Sequence, residues 1–161
     1  MRNLDEYDII FCDIDDTLIY GFWTELMKHT WNIFRSNKLS DILMTLQFHF
    51  RLYKVNQKLK FMLENTSTPI IFLTARKYNK DTEYMLADIL QDTIFDVEHL
   101  ATDNPAADKY NQVVLYIHSF LDMGVELEKI CVFDDNEDVR KLISTLEVDV
   151  FDPIPMRELV R

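Results

Sequence analysis

Glycine is almost missing from this chain: only Gly21 and Gly124 occur among 161 residues. A phosphate-cradling Gly-x-x-x-x-Gly-Lys loop and a dinucleotide fingerprint each need several glycines close together, so both are excluded. Cysteine is equally scarce. Cys12 and Cys131 stand in apolar, strand-like runs without the paired spacing of a zinc site or a disulfide framework, and they read as inert buried thiols. The four histidines, His29, His49, His99 and His118, are scattered without ligand spacing. No apolar run approaches the ~18 residues that cross a bilayer, and no basic-then-apolar leader opens the chain, so a cytoplasmic protein with no membrane partner is expected. Linkers rich in Pro, Gly or Ser, internal repeats and low-complexity tracts are also absent, and residues 1–161 read as one domain.

Basic residues are outnumbered, 17 Lys and Arg against 28 Asp and Glu, for a net charge of -11. That balance argues against a polyanionic partner. Its distribution does not. Residues 22–60 carry Lys28, Arg35, Lys38, Arg51, Lys54, Lys58 and Lys60 against Glu25 and Asp41, a local charge of +5 that leaves -16 to the rest. Both tryptophans and Phe22, Phe34, Phe48, Phe50 and Tyr53 lie in the same stretch. Aromatic faces beside cations suit stacked bases and phosphates; alternatively Trp23, Met27, Trp31 and Phe34 form a helix stripe packed on the core while the lysines face water.

What the chain has in quantity is apolar residues, 48%, enough for a core of its own. Five short runs read as strands: Ile9 to Cys12, Ile70 to Leu73, Ile94 to Val97, Ile130 to Phe133 and Val148 to Phe151. Most are continuously apolar, as strands buried on both faces of a parallel sheet are. Helical faces alternate with the later strands: Met85, Leu86, Ile89 and Leu90, then Val113, Val114, Ile117, Phe120 and Leu121, then Val139, Leu142, Ile143 and Leu146. Gly124 suits the position just past the second helix, and Asn136 the cap of the third. The fold class is α/β, a Rossmann-like three-layer sandwich with a mainly parallel five-stranded sheet. About 57 residues separate the first two strands. Phe22 to Leu63 look helical throughout, with Ser40 a cap between two helices and Leu52, Val55, Leu59 and Met62 on the inner face of the second. One helix would suffice to cross over, so residues 22–60 read as a small helical cap inserted in the domain.

Chemistry concentrates at two strand ends. Asp13-Ile14-Asp15-Asp16-Thr17 follows the first strand, and Asp134-Asp135-Asn136-Glu137-Asp138 follows the fourth. Ligands of open α/β sheets bind at carboxyl ends of strands. If these two strands are neighbours, their carboxylates meet in one crevice and repel one another unless a cation is present. A hard divalent ion with oxygen ligands resolves the conflict, Mg²⁺ where a phosphate also contributes oxygens. Either run alone would read as turn and cap chemistry; two at equivalent strand ends, with Thr74 and Lys109, read as a site.

These residues resemble the haloacid dehalogenase (HAD) superfamily of phosphotransferases. Asp13, Asp15 and Thr17 match its Asp-x-Asp-x-Thr motif after an apolar strand, Thr74 its second motif, Lys109 its third, and Asp134 and Asp135 its fourth, with Asp138 as an outer acidic residue. The resemblance implies that Asp13 attacks phosphorus to form an aspartyl-phosphate. It also implies that Asp15 protonates the leaving oxygen and then activates water, and that Thr74 and Lys109 hold the phosphoryl group. Mg²⁺ would be held by the Asp13 carboxylate, the Asp15 backbone carbonyl and a motif-four acid, with Asp134 and Asp135 both open as the direct ligand. Lys77 and Lys80 are rivals of Lys109. A carboxylate at Asp15 points within the superfamily to phosphate-ester hydrolysis.

Thr74-Ala75-Arg76 and the double aspartate also resemble the phosphatase half of polynucleotide kinase-phosphatases, which implies that Arg76 contacts the substrate phosphate or orients Asp15. The partner expected is a phosphorylated small molecule, a nucleotide or an oligonucleotide end, with a sugar phosphate the alternative. Two other classes share the fold: a phospho-accepting receiver and a catalytically silent binding protein. A receiver's acceptor follows a middle strand, and no aspartate ends the Ile70 strand, which disfavours the first. Filled chemical positions disfavour the second.

Overall fold

In the computed structural model, residues 3–26 and 38–159 are described. Strands run β1 (Ile9–Cys12), β2 (Ile19–Tyr20), β3 (Lys54–Val55), β4 (Ile70–Thr74), β5 (Phe95–His99), β6 (Ile130–Phe133) and β7 (Asp149–Phe151). Helices are α1 (Lys38–His49), α2 (Gln57–Glu64), α3 (Lys80–Leu90), α4 (Pro105–Asp122) and α5 (Glu137–Ile143), and residues 22–26 are also helical. Five strands form one sheet in the order β5-β4-β1-β6-β7, with every neighbouring pair parallel. This is the expected α/β, Rossmann-like architecture.

The continuous apolar character of β1 follows from its place at the centre. Ile10 and Cys12 face one layer, with Phe72, Phe133, Leu59 and Leu63 of α2, and Met85, Leu86 and Ile89 of α3. Ile9 and Phe11 face the other, with Ile71, Leu73, Val132, Val113 of α4, and Val139 and Ile143 of α5. Successive strand residues point to opposite faces, so a strand covered on both sides must be apolar at every position. Each such aromatic contributes about 1.5–3 kcal/mol by leaving water. The expected edges of the helical faces are wetter: Leu121 and Leu142 are exposed, and only Val113 of the α4 group is fully buried. Ile94, expected in a strand, precedes β5 and is exposed, and Val148 precedes β7.

Residues 22–63 are not helical throughout. Lys54–Val55 pairs antiparallel with Ile19–Tyr20, so Leu52 and Val55 precede the helix whose inner face they were expected to share with Leu59 and Met62. Local periodicity loses here to a non-local pairing and to Asn56, whose side chain accepts from the Leu59 amide and starts α2 afresh. Ser40 lies within α1 and not between helices. Met27, Lys28, Trp31, Phe34 and Arg35 lie outside the described residues. Gly124 (φ 78°) follows the C-cap of α4, and Asn136 caps α5 by accepting from the Asp138 and Val139 amides, both as expected. Gly21 (φ 131°) lets the chain leave β2 in a conformation side-chain-bearing residues rarely adopt.

Candidate active site

The strand order brings the carboxyl ends of β1, β4 and β6 side by side. The Asp13 amide donates to the Phe133 carbonyl at 2.9 Å, carrying the β1–β6 ladder one residue beyond the strand. A tight turn follows. The Ile14 carbonyl accepts from the Thr17, Leu18 and Ile19 amides, and Asp16 takes φ 58°, a left-handed conformation that aspartate tolerates better than most residues.

Asp13, Asp134 and Asp135 each offer a carboxylate oxygen, and these lie within 4.8 Å of one another. Lys109, buried on α4, sets its ammonium 2.7 Å from Asp13 Oδ1 and 2.6 Å from Asp134 Oδ2. The second oxygen of Asp134 accepts from the Asn136 amide at 2.9 Å. Thr17 Oγ1 accepts from the Asp135 amide at 3.1 Å and lies 3.4 Å from Asp13 Oδ2. Burial drives the Asp13 carboxyl well above the usual carboxylate range; the Lys109 ammonium opposes this, and Asp134, Asp135 and Asp15 add to it. At Lys109 burial works against the charge, and Asp13 and Asp134 more than offset it. Of its rivals, Lys77 pairs with Asp41 at 3.3 Å and Lys80 is exposed in the first turn of α3. Asp138 is exposed and outside the cluster.

Thr74 ends β4, fully buried, and its hydroxyl oxygen accepts from the Arg76 amide at 3.2 Å. A hydroxyl that accepts still has its hydrogen to donate. Arg76 grips Asp15 with both arms, Nε on Oδ2 at 2.7 Å and Nη2 on Oδ1 at 2.6 Å. Burial works against the Arg76 charge, and the Asp15 carboxylate more than offsets it. The guanidinium also donates to Gln47 Oε1 and to Thr82.

Asp13, Asp134 and Asp135 crowd hard oxygen donors within 4.8 Å of one another, and a cation between them would relieve the repulsion that, after burial, helps push the Asp13 carboxyl up. This donor set fits Mg²⁺. Among the described residues no histidine or cysteine joins the cluster, which disfavours a soft metal.

Three supporting residues escaped the sequence reading. Arg140 donates to the Asp134 carbonyl at 2.8 Å and to the Asp135 carbonyl, holding the backbone of the acidic loop; its place four after Asn136 put it on the same helix face. Asn56 donates from Nδ2 to the Thr17 and Pro153 carbonyls, 3.2 Å each. Gln47 is fully buried on α1; its spacing of three from buried Met44 was the available signal.

The basic stretch is partly neutralised by the chain itself. Arg51 pairs with Asp88, and Lys60 with Glu64. Of its aromatics, Phe48 and Tyr53 pack against the core, whereas Phe22 and Phe50 are exposed. The middle strand is β1 and not the Ile70 strand, so Asp13 does follow a middle strand, and strand position no longer disfavours a receiver.

No family model matches the chain, and no curated protein matches it. Among solved structures it is similar to the HAD domain of effector protein Lem4 from Legionella pneumophila, with a TM-score of 0.55 and 12% sequence identity over 91% of this chain and 85% of that one. At that identity the likeness is one of fold, and the fold is HAD-like. It does not extend to the narrower resemblance to polynucleotide kinase-phosphatases. No helix among the described residues is long and apolar enough to cross a membrane.

Proposed function

We propose that this chain is a Mg²⁺-dependent phosphatase of the HAD type that hydrolyses a phosphomonoester through an aspartyl-phosphate on Asp13. One observation carries the reading: Asp13 is buried at the end of the central strand, 2.7 Å from the Lys109 ammonium and grouped with Asp134 and Asp135. In the first step an Asp13 oxygen bonds to phosphorus while the phosphorus–ester oxygen bond breaks, and the departing oxygen takes the proton of Asp15. In the second, Asp15 takes a proton from water as its oxygen bonds to phosphorus, the Asp13–phosphorus bond breaks, and inorganic phosphate leaves. Thr74 donates its hydroxyl hydrogen to the phosphoryl group, and Lys109 supplies positive charge to it and to Asp13. Mg²⁺, when bound by the Asp13 carboxylate, the Asp15 carbonyl and Asp134 or Asp135, supplies charge neutralisation for the phosphoryl oxygens. Arg76 acts behind Asp15 as its positioning residue.

We assign the substrate to nucleotides or nucleic-acid terminal phosphates, supported by the +5 stretch at residues 22–60, with a small-metabolite sugar phosphate second. The same residues are proposed as the cap. Because α2 packs on the sheet through Leu59 and Leu63, the segment available to cover the crevice ends before it.

The test is hydrolysis of aryl phosphates with Mg²⁺, followed by a panel of nucleotides, 3′-phosphorylated oligonucleotides and sugar phosphates. Asp13→Asn is expected to lose at least about 10⁴-fold in kcat. Asp15→Asn is expected to lose about 10²–10⁴-fold with Mg²⁺ affinity retained. A parent chain inactive across the panel would make the silent binding protein the better reading; a long-lived phosphoprotein after acetyl-phosphate treatment would favour the receiver. Preference for a sugar phosphate over every nucleotide would overturn the substrate class alone.

A further inference from the structure

The carboxylate assigned as acid and base is joined to the inserted segment by a line of polar contacts that runs inward from the crevice. Arg76 Nη2 lies 2.6 Å from Asp15 Oδ1 and 2.7 Å from Gln47 Oε1, so this one nitrogen spends a hydrogen on each. Gln47 in turn reaches Thr24 Oγ1 through Nε2 at 3.4 Å. Gln47 and Thr24 are fully buried, Gln47 on α1 and Thr24 in the helical residues 22–26. These are the two limbs of the insertion.

A guanidinium can only donate, which fixes the orientation of the amide: its oxygen must face Arg76 and its NH₂ must face Thr24. The geometry points to Gln47 as a second positioning residue for the reaction, through which the insertion sets Arg76 and thereby aims Asp15. This inference rests on the acid/base assignment of Asp15 made above. The exposures agree with it: the Asp15 side chain is 19% exposed and that of Arg76 4%, so a leaving group can meet the carboxylate but not the guanidinium behind it. Gln47 reaches neither substrate nor reacting atoms; it acts on where Arg76 rests. Glutamine is also the residue this place requires. An apolar side chain of the same length would strand a buried N–H of Arg76, and a carboxylate would compete with Asp15 for the guanidinium.

Leaving-group dependence tests the role, because an ester with a poor leaving group needs its proton and one with a good leaving group does not. Parent, Asp15→Asn, Gln47→Met and Thr24→Val are compared with Mg²⁺ on phenyl phosphate and 2,4-dinitrophenyl phosphate, with thermal melts as a check of folding. Gln47→Met is expected to lower kcat on phenyl phosphate about tenfold and on the dinitrophenyl ester less than about twofold, with KM unchanged on both. Thr24→Val, which removes only the far anchor, is expected to shift the same ratio by less, and it carries the test if Gln47→Met does not fold. The side-chain Nε–H resonance of Arg76, read without Mg²⁺ or substrate, is expected to shift and to exchange faster with water in Gln47→Met. Equal loss on both esters, or an unchanged Arg76 resonance, overturns the positioning role. If Asp15→Asn itself leaves the ratio of the two esters unchanged, the acid/base assignment falls and this inference with it; if Asp15→Asn changes the ratio and neither other variant does, only the role of Gln47 falls.

Discussion

Lys109 holds two buried carboxylates on a single ammonium, and all three groups are nearly out of contact with water. Removing one member of such a set strands the others, which costs far more than the net worth of the pairs. Lys109→Met is therefore expected to lower stability by about 3–5 kcal/mol in urea denaturation without Mg²⁺. Added Mg²⁺ should restore part of the loss, because an ion that binds only the folded state stabilises it by mass action. A variant as stable as the parent in both conditions would show that Asp13 and Asp134 need no counter-charge. At this scale the sequence singled out Asp13, Lys109, Asp134 and Asp135, which the fold brings into contact with one another, and Asp15 two residues beyond Asp13. It did not determine where Arg76 points, since Asp15, 61 residues earlier, and Gln47, 29 earlier, meet it only once the chain has folded.

Among the elements, the turn after β1 is held from outside. Asn56 caps α2 and also donates to the Thr17 carbonyl of that turn and to the Pro153 carbonyl, so one buried side chain ties three segments together. Asn56→Ala leaves those carbonyls without their donor, and a loss of about 1–3 kcal/mol in urea unfolding is expected. The opening short helical turn (Leu4–Glu6) is anchored differently. Asp5 accepts from the Ser67 amide and the Thr66 hydroxyl, 2.8 Å each, at the loop leading into β4. The Ser67 amide, then the Thr66 hydroxyl, holds the Asp5 carboxyl below its ordinary value of 3.8. A carboxylate depressed in the folded state adds stability above its unfolded pKa and loses it as pH falls through the folded one. The stability difference between parent and Asp5→Asn should thus be level above about pH 5 and shrink below about pH 4, read as melting temperature against pH. A difference constant down to about pH 2 would mean that the anchor does not depend on charge.

At the scale of the molecule, β1 and β6 are enclosed by helices on both faces, and the two thiols lie within them. Cys12 and Cys131 have no exposed surface, and burial is the main force pushing both well above the ordinary thiol range. A thiol reagent should therefore modify neither in the folded protein and both on unfolding, with the labelling midpoint in urea matching the loss of helical signal. Labelling of the folded chain at the rate of a free thiol would place one of them in contact with solvent.

The sequence by itself pointed to a mainly parallel sheet covered on both faces, because most of its strand-like runs are continuously apolar, and it placed acidic loops after the first and fourth of its expected strands. Those are local facts, carried by runs such as Ile9 to Cys12 and by the residues that follow them. Tertiary structure decided that β1 is central, that Lys54–Val55 leaves the helical pattern to pair with Ile19–Tyr20, and that Gln47 stands behind Arg76. Strand order, a two-residue strand and a buried side-chain relay arise from contacts between distant segments, and periodicity reports only on neighbours along the chain.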